Sequence, residues 1–353
     1  MKGDKVYAIS SKRVKRLKNV NPEVVKKAVS EIVDSIAVKR GINPDEIKDF
    51  DGGYAFVYQG KEYRFRVNVA RYDNGSYFLI TMRWLKEHKW SISDYFLTPL
   101  SIKPLMRKIN ANMGGLYLVI GPTGSGKSTL TAAVIKEVLK KPFNVITLED
   151  PIEYRLHSEV GEITQREVGI DTPTFYRGLK SAMRENPNVI FVGEVRDEET
   201  VEALAQAADT GHVVIATLHT ESPKDTLERL QGLVRPERMD SVMKVVAKTL
   251  IGVLGIRMYD APSGGKIILH EYLNAEDPTI KSLLFKRNYS QITSYQNSLE
   301  KGNLTFSLSA AYQMEFKLTK FTESDYLSTG LFDKEELHTA LKQIRLHKKL
   351  LES

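Results

Sequence analysis

The sequence predicts an α/β fold, a mostly parallel sheet with helices on both faces, preceded by a small α+β domain and followed by a helical region. Three observations lead to it. Between residues 116 and 218, short apolar segments alternate with segments of helical spacing, as in a sheet buried on both sides. The first of those strands runs into a glycine-rich loop that opens a helix. Acidic residues recur just past the later strands, at the edge where a parallel sheet gathers its ligand crevice.

Residues 1–97 form the expected α+β domain. Asn21 can cap a helix that Pro22 opens and Gly41 ends, and Val25, Val29, Ile32, Val33 and Ile36 recur on one face between them. Strand-like segments follow at 54–58, 63–69 and 77–84, with turns at Gly60-Lys61 and Asp73-Asn74-Gly75, which predicts an antiparallel meander. In the second segment Tyr63, Phe65, Val67 and Val69 alternate with Arg64, Arg66 and Asn68. One face is core and the other presents cations.

Residues 98–113, with Pro99, Pro104 and the stretch Asn110-Ala-Asn-Met-Gly-Gly, read as a linker and hinge. Residues 114–279 carry the α/β alternation. Strands are expected at 116–120, 145–148, 189–192 and 213–218. The helices are expected at 128–141, stopped by Pro142; from Thr172 as cap, through Pro173, to about Arg184; from Asp197 to near Gly211; and from Ser222 with Pro223. Residues 280–353 are polar-rich and helical, a C-terminal appendage.

Composition narrows the class. With 42% hydrophobic and 27% charged residues, the 353-residue chain is globular and large enough for two or three domains. It contains no cysteine, which excludes disulfides, cysteine-ligated zinc and thiol catalysis within it. No apolar run approaches the ~20 residues of a membrane span, and there is no signal-peptide core, so a soluble protein is expected. The net charge is +7, and the densest basic segment is Lys12, Arg13, Lys15, Arg16 and Lys18. No aromatic platform or DNA-binding motif adjoins it, so it reads as a solvated face and nucleic acid is not an expected partner.

The loop Gly121-Pro122-Thr123-Gly124-Ser125-Gly126-Lys127-Ser128-Thr129 carries the first chemistry. Its glycines let backbone N–H groups converge on phosphates, Lys127 supplies a point charge for the β and γ phosphates, and the Ser128 hydroxyl can reach Mg²⁺. The bare pattern arises by chance in roughly one chain in a hundred of this length, but here it also lies between a strand and a helix. ATP and Mg²⁺ are therefore the expected cofactors, and Thr129 completes the loop.

The second element is Val189-Ile-Phe-Val-Gly-Glu194. A buried strand ending in an acid brings a carboxylate to the metal and the attacking water, and Glu194 is the candidate for both. Gly193 stands where an Asp is usual; the competing reading of Glu194 is a helix-capping partner. A third group, Glu149-Asp150-Pro151-Ile152-Glu153, again follows a strand. His219 follows the strand at 213–218, where a γ-phosphate sensor would sit, whereas His212 precedes it at the opposite end.

In this order, these elements resemble the secretion-superfamily ATPases, nearest to type IV pilus retraction motors. The loop matches that family's Walker A motif. Ile146-Thr-Leu-Glu-Asp-Pro-Ile-Glu-Tyr154, continued by Ile163-Thr-Gln-Arg-Glu-Val168, looks like its Asp box. The run Met183 to Asp197 is similar to its Walker B, including the Gly-Glu ending, and Thr210 to Thr220 looks like its His box.

The resemblance implies a RecA-like ATPase domain, a PAS-like N-terminal domain, and a cytoplasmic homohexamer docked on an inner-membrane platform protein. It implies that Glu153 is a catalytic glutamate, that Glu194 supports Mg²⁺ and water, that His219 contacts the γ-phosphate, and that His212 is structural. Arg66 and Arg83 match arginines that reach a neighbouring subunit's nucleotide. The chain departs from the pattern at Asn188, in place of Asp, and in Asp277-Pro-Thr-Ile-Lys-Ser-Leu-Leu284, a degenerate counterpart of the retraction motif. The family's first strand, with its Leu-His-Leu motif, is not evident. Type IVB secretion and conjugation ATPases are the close second resemblance. Two readings from other classes are a poorly hydrolysing nucleotide-binding scaffold and a DNA-translocating ring.

Overall fold

The computed structural model describes residues 6–10, 13–16, 21–72, 74–75, 77–85 and 90–352. The chain divides into two compact units. The N-terminal unit draws on Met1–Glu87, Asp150–Arg155 and Arg166–Pro173, and the C-terminal unit on His88–Glu149, Leu156–Gln165 and Thr174–Ser353.

The N-terminal unit begins with a hairpin that the sequence did not suggest, β1 (Tyr7–Ser10) paired antiparallel with β2 (Arg13–Arg16). Lys12 and Lys18 of the basic cluster lie outside the described residues. Helix α1 (Pro22–Arg40) is bounded as its residues dictate: the Asn21 side chain accepts a hydrogen bond from the Glu23 N–H at 2.9 Å, and Gly41 closes the helix at φ 65°. Its buried residues Ile32, Val33, Ile36 and Ala37 pack with Phe50, Val67 and Val69 of the sheet. That sheet is the meander β3 (Asp49–Tyr58), β4 (Lys61–Tyr72) and β5 (Tyr77–Leu85). The first turn is Gln59-Gly60 rather than Gly60-Lys61, because Lys61 already pairs with Tyr58. Of the second turn, Asp73 lies outside the described residues.

In the C-terminal unit the segment expected as a linker folds as helix α2 (Pro99–Asn110). Pro104 is tolerated inside it because Ser101, Leu105 and Ile109 bury one stripe, offsetting the lost backbone hydrogen bond. Next come β6 (Gly115–Ile120), α3 (Lys127–Val138), β7 (Asn144–Glu149), β8 (Glu162–Glu167), α4 (Phe175–Ala182), β9 (Val189–Val192), α5 (Glu198–Asp209) and β10 (Val213–Leu218). Helix α4 is capped by Thr174, whose hydroxyl oxygen accepts from the Arg177 N–H. Thr172, the expected cap, is instead held in a turn by the Glu167 carbonyl. Helices α6 (Pro223–Leu233) and α7 (Pro236–Thr249) lead to a hairpin that sequence reading passed over, β11 (Leu250–Asp260) and β12 (Lys266–Asn274).

The sheet order is β12-β11-β6-β10-β9-β7-β8. Strands β11, β6, β10, β9 and β7 run parallel, and β12 is antiparallel to β11. Every residue of β6, β9 and β10 is buried, and each large apolar side chain among them contributes about 1.5–3 kcal/mol. The C-terminal region is helical: α8 (Pro278–Lys286), α9 (Ile292–Gln296), α10 (Phe306–Glu315), α11 (Glu323–Leu327), α12 (Lys334–Leu346) and α13 (Lys348–Glu352). The divergent segment after Asp277 is an ordinary capped helix, with the Asp277 carboxylate accepting from Thr279 and Ile280 and with Ile280, Leu283 and Leu284 buried.

Candidate functional site

Parallel register brings the ends of four strands to one edge. Leu218 pairs beside Ile120, Ala216 beside Val192, and Val192 beside Leu148, so the loops after β6, β7, β9 and β10 emerge together. The glycine-rich loop leaves β6 there and enters α3. At Gly121 the backbone has φ 148°, and a Cβ would stand 2.5 Å from the Ile256 carbonyl oxygen, so only glycine fits. Lys127 is 6% exposed. Its ammonium donates to the carbonyl oxygens of Gly121 at 2.6 Å and Pro122 at 3.1 Å, and to His219 Nδ1 at 3.3 Å.

An ammonium can only donate, so His219 Nδ1 is the acceptor and Nε2 carries the proton when the ring is neutral. Burial and the Lys127 charge hold the imidazole below its ordinary value, against the pull of Glu194, which favours that neutral form. Nε2 lies 3.8 Å from Glu194 Oε1, and Thr123 Oγ1 lies 3.5 Å from Nδ1. The other Glu194 oxygen accepts from Arg196 at 2.6 Å. Burial pushes the Glu194 carboxyl up, but the Arg196 hydrogen bond and charge, with His219 and Lys127 beyond, outweigh it and leave the group lowered and ionised. The structure thus brings Lys127, Thr123, His219 and Glu194 into one cluster.

Gly193 has a packing reason for replacing the usual Asp. Its N–H donates to the Leu148 carbonyl at 2.8 Å, and a Cβ would meet that same oxygen at 3.1 Å. Its own carbonyl accepts from the Thr217 hydroxyl. A side chain here would require the Leu148 carbonyl of β7 to give way by a few tenths of an ångström. Asn188, the other departure, accepts from the Asn144 N–H at 2.8 Å and donates to Asn112 Oδ1 at 3.0 Å, a donation that Asp could not make.

The remaining expected residues make other contacts or belong to the other unit. Glu149 is engaged by Thr147 at 2.6 Å and Gln165 at 3.0 Å. His212 stays at the far end of β10, with Nδ1 3.2 Å from the Ala207 carbonyl oxygen. Glu153, Arg66 and Arg83 belong to the N-terminal unit. Arg66 forms a two-pronged pair with Asp51, at 2.6 and 3.1 Å, and Arg83, exposed, stands beside it in register across β4 and β5. The Asp51 hydrogen bond raises the Arg66 guanidinium despite partial burial, and the charges of Asp51, Glu153 and Asp150 add to it.

Sequence reasoning missed Arg196, which binds Glu194, and Arg257, which donates to the Glu221 carbonyl at 2.6 Å just past His219. An arginine in an otherwise apolar strand was the available signal for Arg257.

The residues fit a magnesium nucleotide. Ser128 is exposed in the first turn of α3, and Glu194 offers an ionised carboxylate. No group of three or more His, Asp or Glu side chains able to hold a metal occurs among the described residues. Mg²⁺ commonly takes only one or two protein oxygens and fills its shell with phosphate and water, so this donor set suits it.

Residues 10–275 match the family of Type II/IV secretion system proteins. The chain belongs to this family. It is 35% identical over 233 residues to a twitching motility protein of Neisseria gonorrhoeae, covering 65% of this chain and 60% of that protein. It is 32% identical over 258 residues to the type IV pilus retraction ATPase PilT of Pseudomonas aeruginosa, covering 72% of each. Its fold is similar to the solved pilus retraction motor PilT with bound ADP, at TM-score 0.74 and 32% identity over 96% of this chain and 93% of that one. It is also similar to the ATPase DotB of Legionella pneumophila, at TM-score 0.72 and 26% identity over 94% and 90%. The secretion-family chain is accordingly an ATPase with the α/β fold of these structures.

Proposed function

We propose that this ATPase works as a homohexameric, Mg-ATP-driven motor of type IV pilus dynamics, of the retraction kind. The observation that carries the reading is the cluster of Lys127, His219 and Glu194 at the carboxyl edge of the parallel sheet. The loop Gly121 to Thr129 binds the phosphates and Lys127 neutralises them, while Ser128 and Glu194 hold Mg²⁺. When bound, the metal supplies charge stabilisation at the transferring phosphoryl group. Glu194 also orients water, His219 reads the γ-phosphate, and Glu153 adds a second catalytic carboxylate. Arg66 and Arg83 act on a neighbouring subunit's nucleotide, so hydrolysis requires assembly and drives the ring between shapes.

Among the described residues no helix is long and apolar enough to cross a membrane. The motor works from the cytoplasm, peripheral to the inner membrane, against a platform protein. Likeness to DotB favours a second reading, a type IVB secretion or conjugation ATPase built on the same site.

Purified wild type should hydrolyse ATP, and Lys127→Ala and Glu194→Gln should each abolish turnover. Mixing Lys127→Ala subunits with Arg66→Ala subunits should restore part of it, because a mixed ring contains interfaces with both residues intact. Unchanged turnover in the single variants sinks the site assignment, and no recovery on mixing sinks the shared interface. Restoration of twitching in a retraction-deficient strain, as against restoration of secretion, separates the two readings.

A further inference from the structure

The carboxylate of Glu167 is buried between two stretches of chain far apart in sequence. The residue is 7% exposed and ends β8. Its Oε1 accepts from the Gly53 N–H of β3 at 2.8 Å, and its Oε2 from the Ile152 N–H at 3.4 Å. The backbone of Glu167 is itself fixed: its N–H donates to Asp171 Oδ2 at 2.8 Å, and its carbonyl accepts from the Asp171 N–H at 2.8 Å. Gly53 is adapted to this contact. A Cβ there would stand 2.9 Å from Glu167 Oε2, and its carbonyl accepts from Lys39 at 3.2 Å.

Ile152 is held from both sides. While Glu167 takes its N–H, Arg64 of β4 donates to its carbonyl at 3.2 Å. The peptide units on either side of Ile152 are therefore tied by charged side chains, and the next residue is Glu153. Glu167, Gly53, Arg64, Ile152 and Glu153 all belong to the N-terminal unit. We propose that Glu167 is a positioning residue for Glu153, clamping the acidic loop to strand β3 so that the N-terminal sheet sets where the Glu153 carboxylate stands. The proposal rests on the reading of Glu153 as catalytic. Charge-assisted hydrogen bonds to buried backbone groups suit the task, since losing the carboxylate leaves two N–H groups without an acceptor of equal strength.

Glu167→Gln in the full-length protein tests this. The amide keeps the shape but retains one acceptor oxygen and sets an N–H₂ against a backbone N–H. Displacing a catalytic group by a fraction of an ångström is expected to lower kcat about tenfold or more. KM for ATP and the affinity for a fluorescent ATP analogue should stay within about twofold, because the Lys127 loop lies in the other unit. Amide hydrogen exchange should speed up at Gly53 and Ile152. Gly53→Ala should reproduce the kcat loss, and combining it with Glu167→Gln should add little, as for two lesions in one contact.

Unchanged exchange at both amides overturns the clamp. Faster exchange with wild-type kcat overturns the positioning role. Should Glu167→Gln fail to fold, Arg64→Ala is read in the same way through the Ile152 carbonyl. Glu153→Gln with wild-type kcat would instead refute the catalytic reading of Glu153, a failure that the exchange data keep separate from the clamp.

Discussion

Lys127 Nζ lies 3.3 Å from His219 Nδ1, which joins the phosphate loop after β6 to the loop after β10. The contact orients a neutral imidazole with its Nε2–H toward Glu194. A group so held can report whether the lysine is engaged by phosphate. His219→Ala should lower kcat about 10²-fold while ATP binding persists, since the loop amides and Lys127 remain. Steady-state kinetics beside a fluorescent-nucleotide titration checks this; a matched loss of binding would show that His219 merely supports the loop.

Two glycines of the loop should respond differently to the same change. At Gly124, with φ 81°, a Cβ meets no heavy atom within 4 Å, so Gly124→Ala costs only the left-handed conformation, about 1 kcal/mol. At Gly121 the Cβ collides with backbone, the Ile256 carbonyl oxygen at 2.5 Å. Gly121→Ala should cost about 2–3 kcal/mol, and nucleotide binding should go with it. Chemical denaturation of the two variants gives the comparison, and equal losses would contradict the packing argument.

Restoring the usual acid at position 193 should harm the protein. Gly193→Asp forces a side chain against the Leu148 carbonyl and should destabilise by about 1–3 kcal/mol without raising turnover. Thermal unfolding and ATPase rates together decide it. A stable, faster Gly193→Asp enzyme would mean that the close approach of β7 and β9 is not what excludes the acid.

A pH dependence follows from Glu271 on β12. Burial pushes its carboxyl up from 4.5 to about 7, with Arg257 and the Gln296 hydrogen bond at 2.6 Å pulling against that and Asp225 reinforcing it. The folded state then holds a proton that the unfolded chain has released, so this contribution is full below pH 4.5 and is lost as pH rises through about 7. Its size is about 3 kcal/mol at most. Glu271→Gln should flatten stability against pH across that window, as measured by denaturant unfolding at several pH values. A slope unchanged by the substitution would remove Glu271 as its source.

Much of this was legible because it is local. Asn21 and Gly41 bound α1 through contacts two to four residues away, and the apolar runs of β6, β9 and β10 mark burial wherever they occur. Misreadings arose where local signals compete. Thr172 and Thr174 flank the same proline, and a turn closed by Glu167 decided which one caps α4. Pro104 signalled a linker, yet the buried stripe of Ser101, Leu105 and Ile109 held the helix.

By itself the sequence determined the phosphate-binding loop, the run of strands and helices around it, and the acids and histidines placed at strand ends. These depend on spacing and on backbone preference over a few residues. Only the tertiary structure decided that His219 meets Lys127, that Arg196 holds Glu194, that Gly193 lies close against the Leu148 carbonyl of β7, and that Arg64 of the N-terminal sheet holds the Ile152 carbonyl. Strand register sets such contacts, and partners like Gly53 and Glu167 stand 114 residues apart. No periodicity along a chain encodes which buried carboxylate will find which N–H.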